Sequence, residues 1–240
     1  MSCNYKKTMV LVGLLGAFLV FFWYAQNHIF IRSKPNNLLL DMNGSDEGFN
    51  SIKAYTLYYA LFYLLFMNMR LIKEETPFIV ARKSRSHLFF IRAASILESA
   101  GWFALTISAV NLGLTYLFVD HETMANHHFY KATLLNGMAL VLFYGWIGLL
   151  CKALEDRIHS FNIAVSVTYI LVAFTFFSAE MMPWLPLPIT DMRMYEGILI
   201  PQWNALEIML VFARQLGLVI VFYLIGHVIF LKKDFIRHEN

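Results

Sequence analysis

The chain has 240 residues, 59% of them hydrophobic and only 15% charged, with a mean hydropathy of +0.57. Soluble domains carry about 25% charged residues, so this composition excludes an ordinary soluble domain and points to a chain whose main solvent is a bilayer. The net charge of +3 is spread as basic residues between apolar runs, without the single basic face that nucleic-acid binding requires.

Six apolar stretches predict an all-α integral membrane protein, one transmembrane domain over residues 1–240. The first span covers 8–25. Lys6 and Lys7 precede it as in a signal peptide, but a run of about 18 residues is long for an h-region, and no A-x-A cleavage pattern follows. An uncleaved span is expected. Residues 26–51 read as a long polar connection. The second span, 54–69, is short and rich in tyrosine. The third lies within 88–119, a stretch too long for one straight span. Its extra length predicts an interfacial helix up to Glu98 and a span over 95–119. The fourth span is 132–151 and the fifth 161–182. Residues 183–204 carry four prolines and two tryptophans. They are too apolar for a solvated linker and too proline-rich for one helix, so either short re-entrant or interfacial segments or an aromatic belt with a loop is expected before the sixth span, 205–231.

Lys and Arg bias orients the spans. With the N-terminus inside, thirteen basic residues fall on inner segments and five on outer ones, Arg214 lying within a span. Both termini are therefore expected inside. Cys3 and Cys151 then share the inner side, which argues against a structural disulfide.

The inner connection after the second span carries the most specific pattern. Glu74-Glu75-Thr76-Pro77 is an acidic, capped start with proline suited to a first helical turn. Apolar Phe78, Ile79 and Val80 are followed by Arg82, Lys83 and Arg85. A short helix lying in the inner interface is expected, either as an anchor for two spans or as a docking surface. The acidic start favours docking, because anchoring does not need it.

This layout resembles the ABC-2 class of transporter membrane subunits. There, six spans have both termini inside, a coupling helix after the second span docks a separate ATPase, and re-entrant helices precede the sixth span. Residues 78–85, Phe-Ile-Val-Ala-Arg-Lys-Ser-Arg, are similar to the basic I-R-x-x-S-R coupling segment of small bacterial permeases for peptide or bacteriocin export and immunity. Trp184 and Pro186 with Asp191 resemble an outer W-x-P-x-x-D motif, with Asp191 two residues too far along. The resemblance implies ATPase coupling through Glu75, Thr76, Pro77, Phe78, Arg82, Lys83 and Arg85. It also implies a second membrane subunit, identical or related, and a bacterial cell-membrane location. Because no G-x-x-x-x-G-K-[ST] occurs, ATP hydrolysis would belong to another polypeptide.

Ionisable groups inside spans cost roughly 2.5–3.5 kcal/mol each by insertion scales, so each needs a partner or a purpose. Arg214 lies about 27 Å from the inner surface at 1.5 Å per residue, level with Glu180. A Glu180–Arg214 pair fits this depth, as does snorkelling of Arg214 to the outer interface, and Gln215 extends the polar patch. Glu98 faces a partner, a polar cavity or the interface. Gly13, Gly16, Gly145 and Gly148 allow close helix packing.

His121, His127 and His128 share the short outer connection with Asp120 and Glu122, a pattern open to metal or proton binding but better read as a hydrated loop. Haem ligation would need histidines deep in facing spans; only His227 lies in a span, near its inner end. Neither G-x-S-x-G nor H-E-x-x-H occurs, so no catalytic, cofactor or metal residues are assigned. Asn43-Gly44-Ser45 matches a glycosylation sequon. The expected function is a non-enzymatic permease subunit of an ATP-driven exporter moving an amphipathic substrate such as a peptide or lipid-like molecule. Its partners would be the ATPase, a second membrane subunit and lipid, without nucleic acid. The rival is a membrane immunity or assembly protein that transports nothing.

Overall fold

A computed structural model describes residues 5–33, 35, 37–45, 47–71, 84–182, 184–185 and 187–232. Among these the chain is helical, with no strand. In chain order the elements are α1 (Tyr5–Ser33), α2 (Leu38–Gly44), a π-helical run (Ala54–Tyr59) leading straight into α3 (Ala60–Arg70), α4 (Arg85–Phe118), α5 (His121–Asn126), α6 (Phe129–Ile158), α7 (Phe161–Met181), a 3-10 turn (Thr190–Arg193) continuing into α8 (Met194–Leu199), and α9 (Ala205–Leu231). Five of these, α1, α4, α6, α7 and α9, are long and apolar enough to cross a membrane. This is a multi-pass membrane architecture.

Ser84 caps α4 by accepting from the His87 amide. Asn204 and Glu207 form a reciprocal capping box at the start of α9, satisfying two of the amides that a helix start leaves unpaired. The long helices expose large apolar side chains, as a bilayer allows: Phe21, Leu117, Phe174 and Met209 are each more than half exposed.

α6 is the hub. Within its most apolar stretch 61% is buried, against 17% for α9 and 28% for α7. Glycines let its neighbours approach. A Cβ on Gly148 would stand 2.5 Å from the Tyr63 hydroxyl and 2.6 Å from Ile96, and one on Gly145 would stand 2.7 Å from Leu97. By contrast, a Cβ on Gly13 would meet nothing within 4 Å, and one on Gly16 only Thr106 at 3.8 Å. The first-span glycines therefore make no tight contact among the described residues. Tyr63, Phe103 and Tyr144 fill the centre with ring centroids 5.0–5.4 Å apart.

α4 is one unbroken helix of 34 residues, about 51 Å long at 1.5 Å per residue. The expected interfacial helix ending near Glu98 is not separate. The reason is that Arg92 and Glu98, which suggested a break, both find partners on neighbouring helices. The connection at 26–51 also differs from a solvated loop. α1 runs on to Ser33, and Leu39, Met42, Phe49, Asn50 and Ser51 are buried, forming a cap with α8 over one end of the bundle.

Candidate functional site

Of the expected coupling residues, Glu75, Thr76, Pro77, Phe78, Arg82 and Lys83 lie outside the described residues. Arg85 occupies the first turn of α4 and donates to the Leu231 carbonyl at the far end of α9, 2.8 Å away. At the next residue of α4, and one turn back along α9, the Ser86 hydroxyl and His227 ring approach to 3.2 Å.

Beneath that turn lies a layer of buried charge. Arg92 donates to Asp156 at 2.6 Å; both side chains are less than a tenth exposed. The guanidinium also reaches the Lys152 carbonyl at 3.4 Å and lies 5.5 Å from the centre of the Phe230 ring. Lys152 in turn pairs with Glu155 at 2.6 Å and reaches the Asn68 side-chain oxygen at 3.5 Å. Arg70, closing α3, donates to Ser99 at 2.8 Å, to the Ser95 carbonyl and to Glu98. Glu98 is thus the partner of Arg70. The layer ties the last turn of α3 and the first turns of α4 to the end of α6, with α9 attached through Arg85. These are the ends flanking the connection at 72–83.

At the opposite end the polar residues of the membrane region also come together, but not as expected. Arg214 pairs with Asp191, which is almost fully buried, through its Nε at 3.0 Å and a second, shorter contact from Nη2. Glu180 pairs instead with Arg193 at 3.5 Å. The Glu180–Arg214 pair is therefore not formed, because the 3-10 turn places Asp191 closer to α9 than the end of α7 comes. Gln215 donates to Asp191 at 3.0 Å and to the Pro188 carbonyl at 2.7 Å, and accepts from the Trp146 indole at 3.1 Å. The segment at 187–203 is thereby fastened to α6 and α9, its Ile189, Met192, Tyr195, Ile198 and Leu199 buried. A Cβ on Gly197 would fall 2.5 Å from the Trp203 ring, so only glycine lets that ring close over α8.

Sequence reasoning missed a second polar core. Tyr55 donates to Asn50 and accepts from Asn136, both at 2.7 Å. Asn50 donates to Asn43 at 3.0 Å. The Tyr195 hydroxyl accepts from Asn111 at 3.2 Å, contacts Thr133 at 3.2 Å and donates to Asn43 at 3.5 Å. Asn111 accepts from the Trp23 indole at 3.1 Å. Burial pushes the Tyr195 phenol above its ordinary value, so it stays protonated. Asn43, fully buried with its amide donating to the Leu39 carbonyl, is closed to glycosylation in this fold. The available signal was the presence of Asn111, Thr133 and Asn136 within otherwise apolar runs.

The histidine connection is a capped turn. Asp120 accepts from the Thr123 amide at 2.7 Å and its hydroxyl at 2.9 Å, which holds the carboxyl below the usual carboxylate range. His121 packs edge-on against Tyr130, and His128 sits at a left-handed backbone position before α6. Among the described residues no group of three His, Cys, Asp or Glu side chains is placed to hold a metal ion. Cys151 is a buried free thiol.

Two cavities open at the capped end. One, about 480 Å³, is lined by Glu47, Asn50, Lys53, Phe177, Glu180 and Arg193 among others. The second, about 410 Å³, lies between α2, the end of α4 and the residues after α8. Comparison with protein-family models, with curated proteins and with solved structures finds no match for this chain.

Proposed function

We propose that the chain is the membrane-spanning permease subunit of an ATP-driven exporter of the ABC-2 kind, moving an amphipathic substrate such as a peptide or lipid-like molecule. In this reading α3, with its π-helical lead, is the second of six spans, the other five being α1, α4, α6, α7 and α9. Both termini lie in the cytoplasm, Glu75–Arg85 is the ATPase-coupling segment, and the re-entrant element lies within 183–204. A separate ATPase supplies hydrolysis, a second membrane subunit completes the path, and the assembly sits in a bacterial cell membrane.

One observation supports it most. The two helices that flank the connection are clamped to each other by Arg70 with Glu98 and Ser99, and to α6 by Arg92 with Asp156. A push on the connection would therefore reach α3, α4 and α6 as one body, as a coupling element requires. Capping of the other end by α2 and α8, with cavities there, fits the rival reading of an immunity protein that binds a toxic peptide. The test is recovery of the tagged chain from its host in mild detergent, beside a form carrying Arg82→Glu, Lys83→Glu and Arg85→Glu. A stoichiometric ABC ATPase lost on charge reversal, with insertion intact, is the expected result. Intact, abundant protein without any such ATPase would overturn the permease and leave the immunity or assembly reading.

A further inference from the structure

The larger cavity has an uncommon charge pattern for the edge of a membrane protein. Two cations, Lys53 and Arg193, face three carboxylates, Glu47, Glu180 and Glu196. The Lys53–Glu47 and Arg193–Glu180 pairs span 3.3 and 3.5 Å, and all four side chains are at least a third exposed. Charge-assisted hydrogen bonds run to about 2.7–2.9 Å, and Arg92 holds Asp156 in the buried layer at 2.6 Å. A pair as long and exposed as Arg193–Glu180 contributes about 0–1 kcal/mol, so a ligand offering both signs of charge displaces it at little cost.

The cavity also has an apolar exit. Phe177 lines it and is 56% exposed. Phe174 and Ile170 follow on the same face of α7, at 67% and 63% exposure, because residues three and four apart stack on a helix. The stripe runs from the cavity along α7 for about 10 Å at 1.5 Å per residue, away from the capped end. A polar socket continuous with a lipid-facing apolar track matches a headgroup joined to an acyl chain. The volume lies within the range of small-molecule sites, roughly 300–1,000 Å³.

We infer that this cavity binds the headgroup of a zwitterionic phospholipid bearing a primary ammonium, with its acyl chain laid along Phe177, Phe174 and Ile170. The phosphate takes Arg193 and Lys53, whose N–H groups donate to it. The ammonium donates its three hydrogens among Glu180, Glu47 and Glu196. The excess carboxylate disfavours a purely anionic headgroup. A quaternary ammonium has the charge but no hydrogen to donate, so choline lipids bind less well. The site is independent of any ATPase, so it stands whether or not the chain is a permease.

The test is native mass spectrometry of the full-length protein in detergent, titrated with dioleoyl phosphatidylethanolamine, phosphatidylglycerol or phosphatidylcholine. The expected result is a single ethanolamine-lipid adduct favoured at least about tenfold over either other lipid, the size of one charge-assisted hydrogen bond. The Glu180→Gln/Arg193→Gln double variant should lose that preference while keeping the parent melting midpoint. Glu47→Gln, on the exposed rim, is the second variant should the double one fail to fold; it should reduce the preference. Free glycerophosphoethanolamine should displace the lipid only at far higher concentration, since it lacks the apolar track. Equal binding of the three lipids, or a preference that survives in the folded variants, would overturn the site. Equal potency of the free headgroup would overturn the lipid as its occupant.

Discussion

Removing the carboxylate from the Arg92–Asp156 pair should be the most damaging single change in the charged layer. Asp156→Ala leaves the Arg92 guanidinium, less than a tenth exposed, with the Lys152 carbonyl at 3.4 Å and the Phe230 ring in place of a carboxylate at 2.6 Å. Breaking a buried pair from one side costs about 3–5 kcal/mol, because the remaining charge is uncompensated. Replacing both partners with apolar residues of similar volume is often neutral or stabilising. Arg92→Met/Asp156→Leu should therefore recover most of the loss, giving a strong favourable coupling in a double-mutant cycle. Unfolding midpoints in a fixed detergent, read by tryptophan fluorescence, compare the parent, Arg92→Met, Asp156→Leu and the double variant as the four corners of the cycle, with Asp156→Ala beside them. If Asp156→Ala falls within about 0.5 kcal/mol of the parent, the range of an ordinary surface change, the pair is not buried as described. A double variant worse than the single one would likewise refute the argument from desolvation.

Tyr55→Phe removes a donor to Asn50 and an acceptor for Asn136; two buried groups lose a partner, at about 1–3 kcal/mol each, measurable by the same unfolding midpoint. Gly148→Ala forces a methyl against Tyr63, Ile96 and Met67 and should cost about 1–3 kcal/mol as overpacking, while Gly13→Ala, with open space around it, should stay within about 0.5 kcal/mol. The Asp120 cap is pH-dependent: its carboxyl is held low by Thr123, so the cap is present above the unfolded value of about 3.9 and is lost as pH falls through the lower folded value. Hydrogen-exchange protection of the Thr123 amide should drop over that acid range, and Asp120→Asn should show no such drop.

The long apolar runs were legible because a bilayer leaves little freedom: a span needs length and low charge, and α9 has the expected ends at Ala205 and Leu231. Helix ends elsewhere were less legible, since polar residues such as Lys6 or Arg32 extend a helix past the hydrocarbon without any change of backbone. Length and two charges implied a break in the Leu88–Val119 run; only the neighbouring helices reveal that Arg92 and Glu98 are paired and the helix can continue. Arg214 visibly needed a partner, but depth alone could not choose between Glu180 and Asp191. That choice is made by a 3-10 turn in a proline-rich segment, which has no periodicity to read. The cap built from α2 was hidden because its Leu38-Leu39-Leu40 is too short to register among longer apolar runs. Tyr55, Asn111, Asn136 and Tyr195 are far apart in sequence and meet only after the helices pack.

The pairing of Arg214 bears on the order in which the protein is made. Its counter-charge, Asp191, precedes it by 23 residues, so the carboxylate is already part of the chain, and leads it out of the ribosome, when the arginine is synthesised. α9 can enter the membrane with its arginine answered by the segment just ahead of it, sparing part of the insertion penalty of a lone arginine. Arg92 is in the opposite position. Asp156 lies 64 residues downstream, so during synthesis the start of α4 must wait at the headgroups until α6 arrives. Biogenesis thus sets Arg92 in place late, and a ribosome stalled between the two helices would hold a chain whose α4 is not yet anchored by that ion pair.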